Sequence, residues 1–297
     1  MATIAVRGLT KRFGATLAVD KLSFDVRPGA VTGFLGGNGA GKTTTLRMLL
    51  GLVAPTAGVA TIDGRAYRQL TEPSRTVGAV LEGGGFHPGR SGRDHLRVLA
   101  TASGVPPSRA DALLELAGIA HVGRRRIAGY SQGMCQRLGL AAALLGDPPV
   151  LILDEPANGL DPQGIRWLRD LLRALAQKGR TVLVSSHVLS EVAQTVDDVV
   201  VIGGGRLLAA APLTELLRRA GAAVSVRTGD PIRLRQALDR HGLRAAEQDG
   251  AVLVRDATAD TVSEIAAGAG LTIHEISAVT TTLEDVFLEL TGGQEGR

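Results

Sequence analysis

Lysine, aromatic residues and cysteine are all scarce in this chain. Only Lys11, Lys21, Lys42 and Lys178 are lysines among its 33 basic side chains, and the rest are arginines. Aromatics make up 3% of 297 residues, which leaves little for stacking on bases, so no nucleic-acid partner is expected. The net charge of +4 fits a solvated basic surface or contact with an anionic one. A single cysteine, Cys135, excludes an internal disulfide and suits a reducing compartment. No run of about 18 uncharged apolar residues occurs, so no membrane-spanning helix is expected. Met1–Arg12 lacks the apolar core of a secretory leader. The length suits one large domain and a smaller one, and 44% hydrophobic residues are ample for their cores.

Glycine is abundant, and one cluster of it has chemical meaning. Gly36-Gly37-Asn38-Gly39-Ala40-Gly41-Lys42-Thr43-Thr44 fits G-x-x-x-x-G-K-[ST] without a gap. Ala30–Leu35 before it reads as a short buried strand, and Thr45–Leu50 after it as a helix start. Glycines let the backbone turn so that its N–H groups point at anionic oxygens. The helix N-terminus adds roughly half a positive charge. Lys42 is expected to reach terminal phosphates, and the Thr43 hydroxyl to hold Mg²⁺. The loop means nucleotide phosphate; it does not separate a kinase, a GTPase, a motor or a transporter ATPase.

Residues 2–8 alternate as a strand, Lys11–Gly14 reads as a turn, and Leu17–Val26 is extended again. Phe13, an aromatic in that turn, suits either stacking on an adenine face or ordinary packing. Val59–Gly64 and Thr76–Leu81 read as strands, the latter ending at Glu82. The breaker-rich loop Gly83–Gly89 follows, with Phe86 either outward for a partner or packed inward. Residues 85–147 read as a mostly helical insertion, with helices over Gly92–Ala102, Ser108–Ala117 and Cys135–Leu145 and Ser108 as a cap. Val150–Glu155 is a continuous apolar run ending in two carboxylates, as a strand buried on both faces requires. Helix Arg166–Lys178, strand Thr181–Ser186, helix Val188–Thr195 and strand Val199–Ile202 continue an alternation that argues a parallel sheet. Gly203-Gly204-Gly205 and Pro212 loosen the chain, and its character changes by about Gly221. Beyond, the order βαββαβ with an Asp249-Gly250 hairpin predicts a small α+β unit of split βαβ type. Thr281-Thr282-Leu283-Glu284 reads as a capping box opening a last helix, closed by Gly292-Gly293.

Asp154 follows an apolar strand and is placed to hold Mg²⁺, and Glu155 to polarise an attacking water. His187, at the end of a neighbouring strand, suits orienting that water, sensing a γ-phosphate, or a structural role. Ser131-Gln132-Gly133 is a polar turn before a helix, able to donate N–H and hydroxyl groups to a phosphate. Together these ordered motifs make the chain resemble the ATP-binding cassette (ABC) family over residues 1–212. Gly36–Thr44 is similar to its Walker A motif, Val150–Glu155 to Walker B with its catalytic glutamate, and Asn158–Asp161 to its D-loop. His187 resembles its switch histidine, Tyr130–Met134 its signature, and Phe13 its adenine-stacking aromatic. The closing Leu283–Thr291 is similar to the tail of drug and antibiotic exporter cassettes, including daunorubicin-resistance and bacitracin or lantibiotic self-protection transporters.

The resemblance implies an α/β P-loop NTPase core over 1–212, with a parallel sheet, an antiparallel β subdomain and the helical insertion. An accessory α+β domain would occupy 213–297. It implies a homodimer hydrolysing two ATP with Mg²⁺. Lys42, Glu155 and His187 would be catalytic; Gly36–Thr44, Phe13, Ser131 and Gly133 would bind nucleotide; Thr43, Glu82 and Asp154 would hold the metal. A separate integral-membrane permease would be the partner, with the chain cytoplasmic and peripheral on the inner face of the membrane. The sequence departs from the family at Glu82, where glutamine is usual, at Gln132 and Met134 in the signature, at Gly37 in place of proline, and at Cys135. Two other expectations remain: a soluble cassette acting on ribosome or DNA, and a non-hydrolysing nucleotide-dependent regulator.

Overall fold

Apolar runs without polar alternation can be satisfied only between two covering layers, and such runs form the centre of this molecule. The computed structural model describes residues 2–81, 85–219, 223–248, 250–279 and 282–292. Glu82, Thr281, Asp249 and Gly293, all named above, lie outside the described residues. The chain divides into two units, Met1–Pro212 and Leu213–Arg297.

In the first unit, β1 (Ile4–Phe13) and β2 (Thr16–Val26) form an antiparallel pair. Then β3 (Val31–Leu35), buried throughout, leads through the glycine loop into α1 (Lys42–Leu49). Next β4 (Ala57–Ile62) returns to the first pair, giving a sheet of order β2-β1-β4. A short turn of helix, α2 (Pro73–Thr76), precedes β5 (Val77–Val80). The insertion carries α3 (Gly92–Ala102), α4 (Arg109–Leu116) and α5 (Gln132–Ala143). After it come β6 (Val150–Asp154), α6 (Pro162–Gln177), β7 (Thr181–Ser186), α7 (Leu189–Ala193), β8 (Asp198–Gly203) and β9 (Arg206–Pro212). The second sheet has order β5-β6-β7-β3-β8-β9, parallel except for β9. Its core joins both sheets: Ile4, Val6, Phe24 and Ile62 of the antiparallel sheet pack with Phe34, Ile152, Leu183 and Val200 of the parallel one, around Leu46 and Leu49 of α1.

Several local expectations are corrected. Lys11–Phe13 lies on β1, and Phe13 pairs with Thr16 across a turn at Gly14-Ala15. Arg206–Pro212 is a strand rather than loosened chain, because Gly204 and Gly205, at φ 54° and 80°, supply the two positive angles that a two-residue hairpin turn demands. Leu213–Arg219 is likewise helical. Ser108 sits at the start of α4 but makes no capping bond, its backbone already being helical. Helix α6 begins four residues early because Asp161, not Arg166, opens it: its Oδ1 accepts from Gly164 N at 2.7 Å.

One close approach fixes the insertion on the sheet. A β-carbon on Gly78 of β5 would stand 2.1 Å from the carbonyl oxygen of Ala143, at the end of α5. The Gly78→Ala variant must therefore push the helix off the strand. We expect it to cost about 1–3 kcal/mol or more, read as a lower urea midpoint with unchanged slope; an unchanged midpoint would mean the helix end gives way freely.

The second unit begins at α8 (Leu213–Arg219) and continues through β10 (Ala223–Thr228), α9 (Pro231–Arg240), β11 (Ala245–Gln248), β12 (Ala251–Arg255), α10 (Ala259–Gly268), β13 (Ile273–Val279) and α11 (Leu283–Gly292). Its antiparallel sheet has order β11-β12-β10-β13, the arrangement of a split βαβ unit. Val224, Val226, Val252 and Val254 pack with Leu234 and Leu238 of α9 and Val262 and Ala266 of α10. The cap of α11 lies one residue later than Thr281: Thr282 N donates to Asp285 Oδ2 at 2.9 Å, and Asp285 N returns a bond to Thr282 Oγ1 at 3.3 Å. The Thr282 N–H bond foremost, and then the Thr282 hydroxyl donating to the same Oδ2 at 2.7 Å, hold the Asp285 carboxyl below its usual range.

Candidate nucleotide-phosphate site

Three adjacent strands of the parallel sheet, β3, β7 and β6, end at one level. Leu35 lies opposite Ser186, and Asp154 opposite Ser185. The residues just beyond these ends therefore converge, which is where open α/β sheets gather ligands. Beyond β3 the loop turns on Gly39 (φ 77°) and Gly41 (φ 99°), conformations that a side chain resists. Gly41 also has no room, since a β-carbon there would lie 2.6 Å from the Ala18 carbonyl oxygen. A cavity of about 300 Å³ opens over this loop, lined by Ala18, Gly37–Thr44, Glu155, Asn158 and His187.

Lys42 is 7% exposed, with Nζ donating to the carbonyl oxygens of Gly36 at 2.7 Å and Gly37 at 3.3 Å. It lies 3.6 Å from Glu155 Oε1. The other carboxylate oxygen of Glu155 is 2.9 Å from His187 Nδ1. Lys42, Glu155 and His187 thus form one chain of contacts across the ends of β3, β6 and β7. Glu155 is held in a left-handed conformation (φ 49°), unusual for a non-glycine residue and the kind of strain that surrounding structure must enforce. Its N–H donates to Ser185 Oγ at 2.9 Å, and that hydroxyl donates to Asp154 Oδ1 at 2.5 Å. Asp154 is 2% exposed, and its Oδ2 is buried with no hydrogen-bond partner. An orphan carboxylate oxygen is costly to bury unless something comes to it, and a hard cation is the group it fits. Among the described residues no cluster of three or more acidic, His or Cys side chains would cage a metal alone.

Sequence reasoning missed Ser185, which ties Asp154 to Glu155. The signal was there: a polar Ser185-Ser186 pair ends an apolar strand. It also missed Ala18 and Asn158 as lining residues. Ser131 and Gly133 do not line the phosphate cavity of their own chain. Ser131 caps α5, its Oγ accepting from Met134 N at 3.2 Å, at the exposed start of that helix. Phe13 is also apart from the cavity lining; it is 50% exposed, with Lys11 Nζ 4.8 Å from its ring centroid.

A larger cavity of about 770 Å³ runs from Asp154 and Glu155 to the insertion, past Phe86, His95, Gln132 and Cys135. Phe86 is half-buried and meets the His95 ring edge-on at 5.1 Å. Burial pushes the Cys135 thiol up, and burial with the charge of Arg90 pushes His95 down. Both are therefore uncharged at neutral pH.

A glycine loop after a central strand, a carboxylate pair after the next strand but one, and a helical insertion between sheet strands define a P-loop nucleotide hydrolase. The family model for ABC transporters matches residues 19–158, and a domain of unknown function (DUF8746) matches residues 222–284. A bacitracin transport ATP-binding protein of Bacillus licheniformis is 38% identical over 98% of this chain and 97% of its own length. A lantibiotic transport ATP-binding protein of Streptococcus pyogenes is 35% identical over 69% of this chain and 89% of its own. Among solved structures, an ATP-binding subunit of an ABC transporter superposes with a TM-score of 0.66 at 28% identity, covering 73% of this chain and 92% of that one. The chain belongs to the ATP-binding subunits of ABC transporters, which hydrolyse ATP. No helix among the described residues is long and apolar enough to cross a membrane.

Proposed function

We propose that two copies of the chain close around two ATP, and that this cycle powers a separate integral-membrane permease exporting a drug, antibiotic or lipid-like compound. Each nucleotide would lie between the Gly36–Thr44 loop of one copy and Ser131 and Gly133 of the other. The observation that carries the pairing is the position of Ser131: it heads a helix at an exposed end, yet lines no part of its own phosphate cavity. A lone chain leaves the terminal phosphate half in water. Glu155 is the base that polarises the attacking water, and His187 orients it. Lys42 and the loop N–H groups stabilise the charge of the phosphoryl in transfer. Thr43, Asp154 and Glu82 would hold Mg²⁺, and the orphaned Asp154 Oδ2 supports that assignment. When bound, Mg²⁺ supplies charge neutralisation at the β- and γ-phosphate oxygens. Phe13, with half its surface exposed, is the shelf for the adenine ring.

Export rests on the bacitracin and lantibiotic transport relatives. The uncharged end of the large cleft, beside Phe86 and His95, suits an apolar segment of the permease. The chain would then be cytoplasmic and peripheral on the inner face of the membrane. Co-expression with a candidate multi-span permease from an adjacent reading frame tests this: the two should purify together from membranes, and turnover should rise on reconstitution. Recovery of the chain on ribosomes or DNA instead, with no membrane partner, would contradict it.

A further inference from the structure

Three consecutive arginines, Arg124, Arg125 and Arg126, stand exposed between α4 and α5. Backbone bonds lace them to a second basic segment. Ile127 N donates to the Arg90 carbonyl at 2.9 Å, Ala128 N to that of Pro88 at 3.0 Å, and Arg93 N to that of Gly123 at 2.7 Å. Ser91 and Arg126 also pair as an isolated antiparallel bridge. Residues 87–98 and 121–130 together hold six arginines against one carboxylate, a formal +5, while the whole chain carries +4. That carboxylate, Asp94, is engaged by Ser91: its Oδ2 accepts from Ser91 Oγ at 2.6 Å, and its N–H donates to the same hydroxyl oxygen at 3.1 Å. Arg93 and Arg97 are answered by Asp111 of α4, at 2.7 and 3.6 Å. Arg90, Arg124, Arg125 and Arg126 make no ion pair among the described residues. The fold thus holds four unanswered positive charges side by side.

We propose that this patch docks the chain on anionic phospholipid of the inner leaflet, independently of the permease; this rests on the peripheral placement proposed above. The ligand chemistry is the phosphate of lipid headgroups presented as a surface. Arginine suits it, because its planar fork meets two phosphate oxygens at once and stays charged. The patch lies beside the end of the cleft suited to the permease: Arg90 is four residues from Phe86, and its charge is felt by His95 in the cleft wall. A nucleic acid fits less well. Tyr130, the one aromatic in either segment, is half-buried with its hydroxyl donating to the Val122 carbonyl at 2.8 Å, so no ring is free to stack. A single soluble phosphate also fits less well, since none of the four arginines lines either cavity described above. Attraction to an anionic leaflet contributes about fivefold in partitioning per arginine and falls off within a Debye length, about 8 Å at physiological salt.

The test is sedimentation of the full chain, without permease, on lipid vesicles. Mixed phosphatidylcholine and phosphatidylglycerol vesicles should bind it, and pure phosphatidylcholine should not. The triple variant Arg124→Gln, Arg125→Gln, Arg126→Gln should lower partitioning about 100-fold. Salt at about 1 M, where the Debye length shrinks to ~3 Å, should release the wild type. A matched triple at Arg233, Arg235 and Arg240, exposed on α9 of the second unit and changed likewise to glutamine, removes the same charge and should keep most of the binding. Unchanged ATP affinity checks that both variants are folded. Equal partitioning by wild type and the first triple, equal loss in both triples, or equal binding to pure phosphatidylcholine would overturn the patch. Inorganic phosphate exchanged for chloride at equal ionic strength should leave binding unchanged; loss of binding would make this a site for one soluble anion and overturn the lipid surface. A chain that ignores anionic vesicles yet purifies with the permease defeats the patch alone, whereas one that does neither defeats the membrane placement itself.

Discussion

Replacing Glu155 by glutamine should lower ATP turnover by about 10²–10⁴-fold, the usual contribution of a positioned general base, without loss of ATP binding. Glutamine keeps the size of the side chain and an oxygen to accept from His187 Nδ1, now 2.9 Å from Oε2. It removes the negative charge that draws a proton from water. The backbone at this position should not relax, because the Glu155 N–H to Ser185 Oγ bond at 2.9 Å does not involve the side chain. The variant is therefore an ATP-holding form, and the pair should persist as long as ATP does. Single-turnover measurement beside equilibrium binding separates the two effects. Turnover at the wild-type rate would remove Glu155 from the mechanism.

The second large effect is on binding. Lys42→Met keeps the buried stem of a side chain only 7% exposed and deletes its ammonium. In the structure that ammonium is satisfied by the carbonyls of Gly36 and Gly37 and faces Glu155 at 3.6 Å. These are the contacts that phosphate oxygens would take over. Hydrogen bonds to a charged group contribute about 1.5–3 kcal/mol, so the dissociation constant for ATP should rise roughly 10–150-fold. Turnover at saturating ATP should fall as well, since the developing charge loses its nearest cation. A fluorescent ATP analogue titrated against both proteins measures the first effect. Equal affinities would mean that the loop N–H groups alone hold the phosphates.

Much of this site was legible in the sequence because its chemistry depends on neighbours along the chain. Gly36–Thr44 and Val150–Glu155 are local words, and the strands that carry them are buried on both faces and so read as unbroken apolar runs. What was hidden depended on the partner strand. Ser185 becomes part of the site only because β6 and β7 pair with Asp154 opposite Ser185. Gln132 and Gly159 touch across 27 residues of chain, and no periodicity announces that. The misjudged strand β9 has another cause. A glycine run reads as a breaker in sequence, but two glycines with positive φ, here Gly204 and Gly205, are also what a tight hairpin needs. Lys11–Gly14 reads as a turn in sequence, yet pairing of Phe13 with Thr16 extends β1 up to it. Glu82 lies outside the described residues, so its place in the metal set rests on the resemblance.

We propose that one chain alone is an incomplete enzyme. Turnover per chain, followed as the protein is diluted at saturating ATP, tests it most directly. If the partner's Ser131 and Gly133 must close the site, specific activity falls steadily on dilution and recovers on concentration. Constant specific activity at concentrations where light scattering finds only single chains would contradict the account.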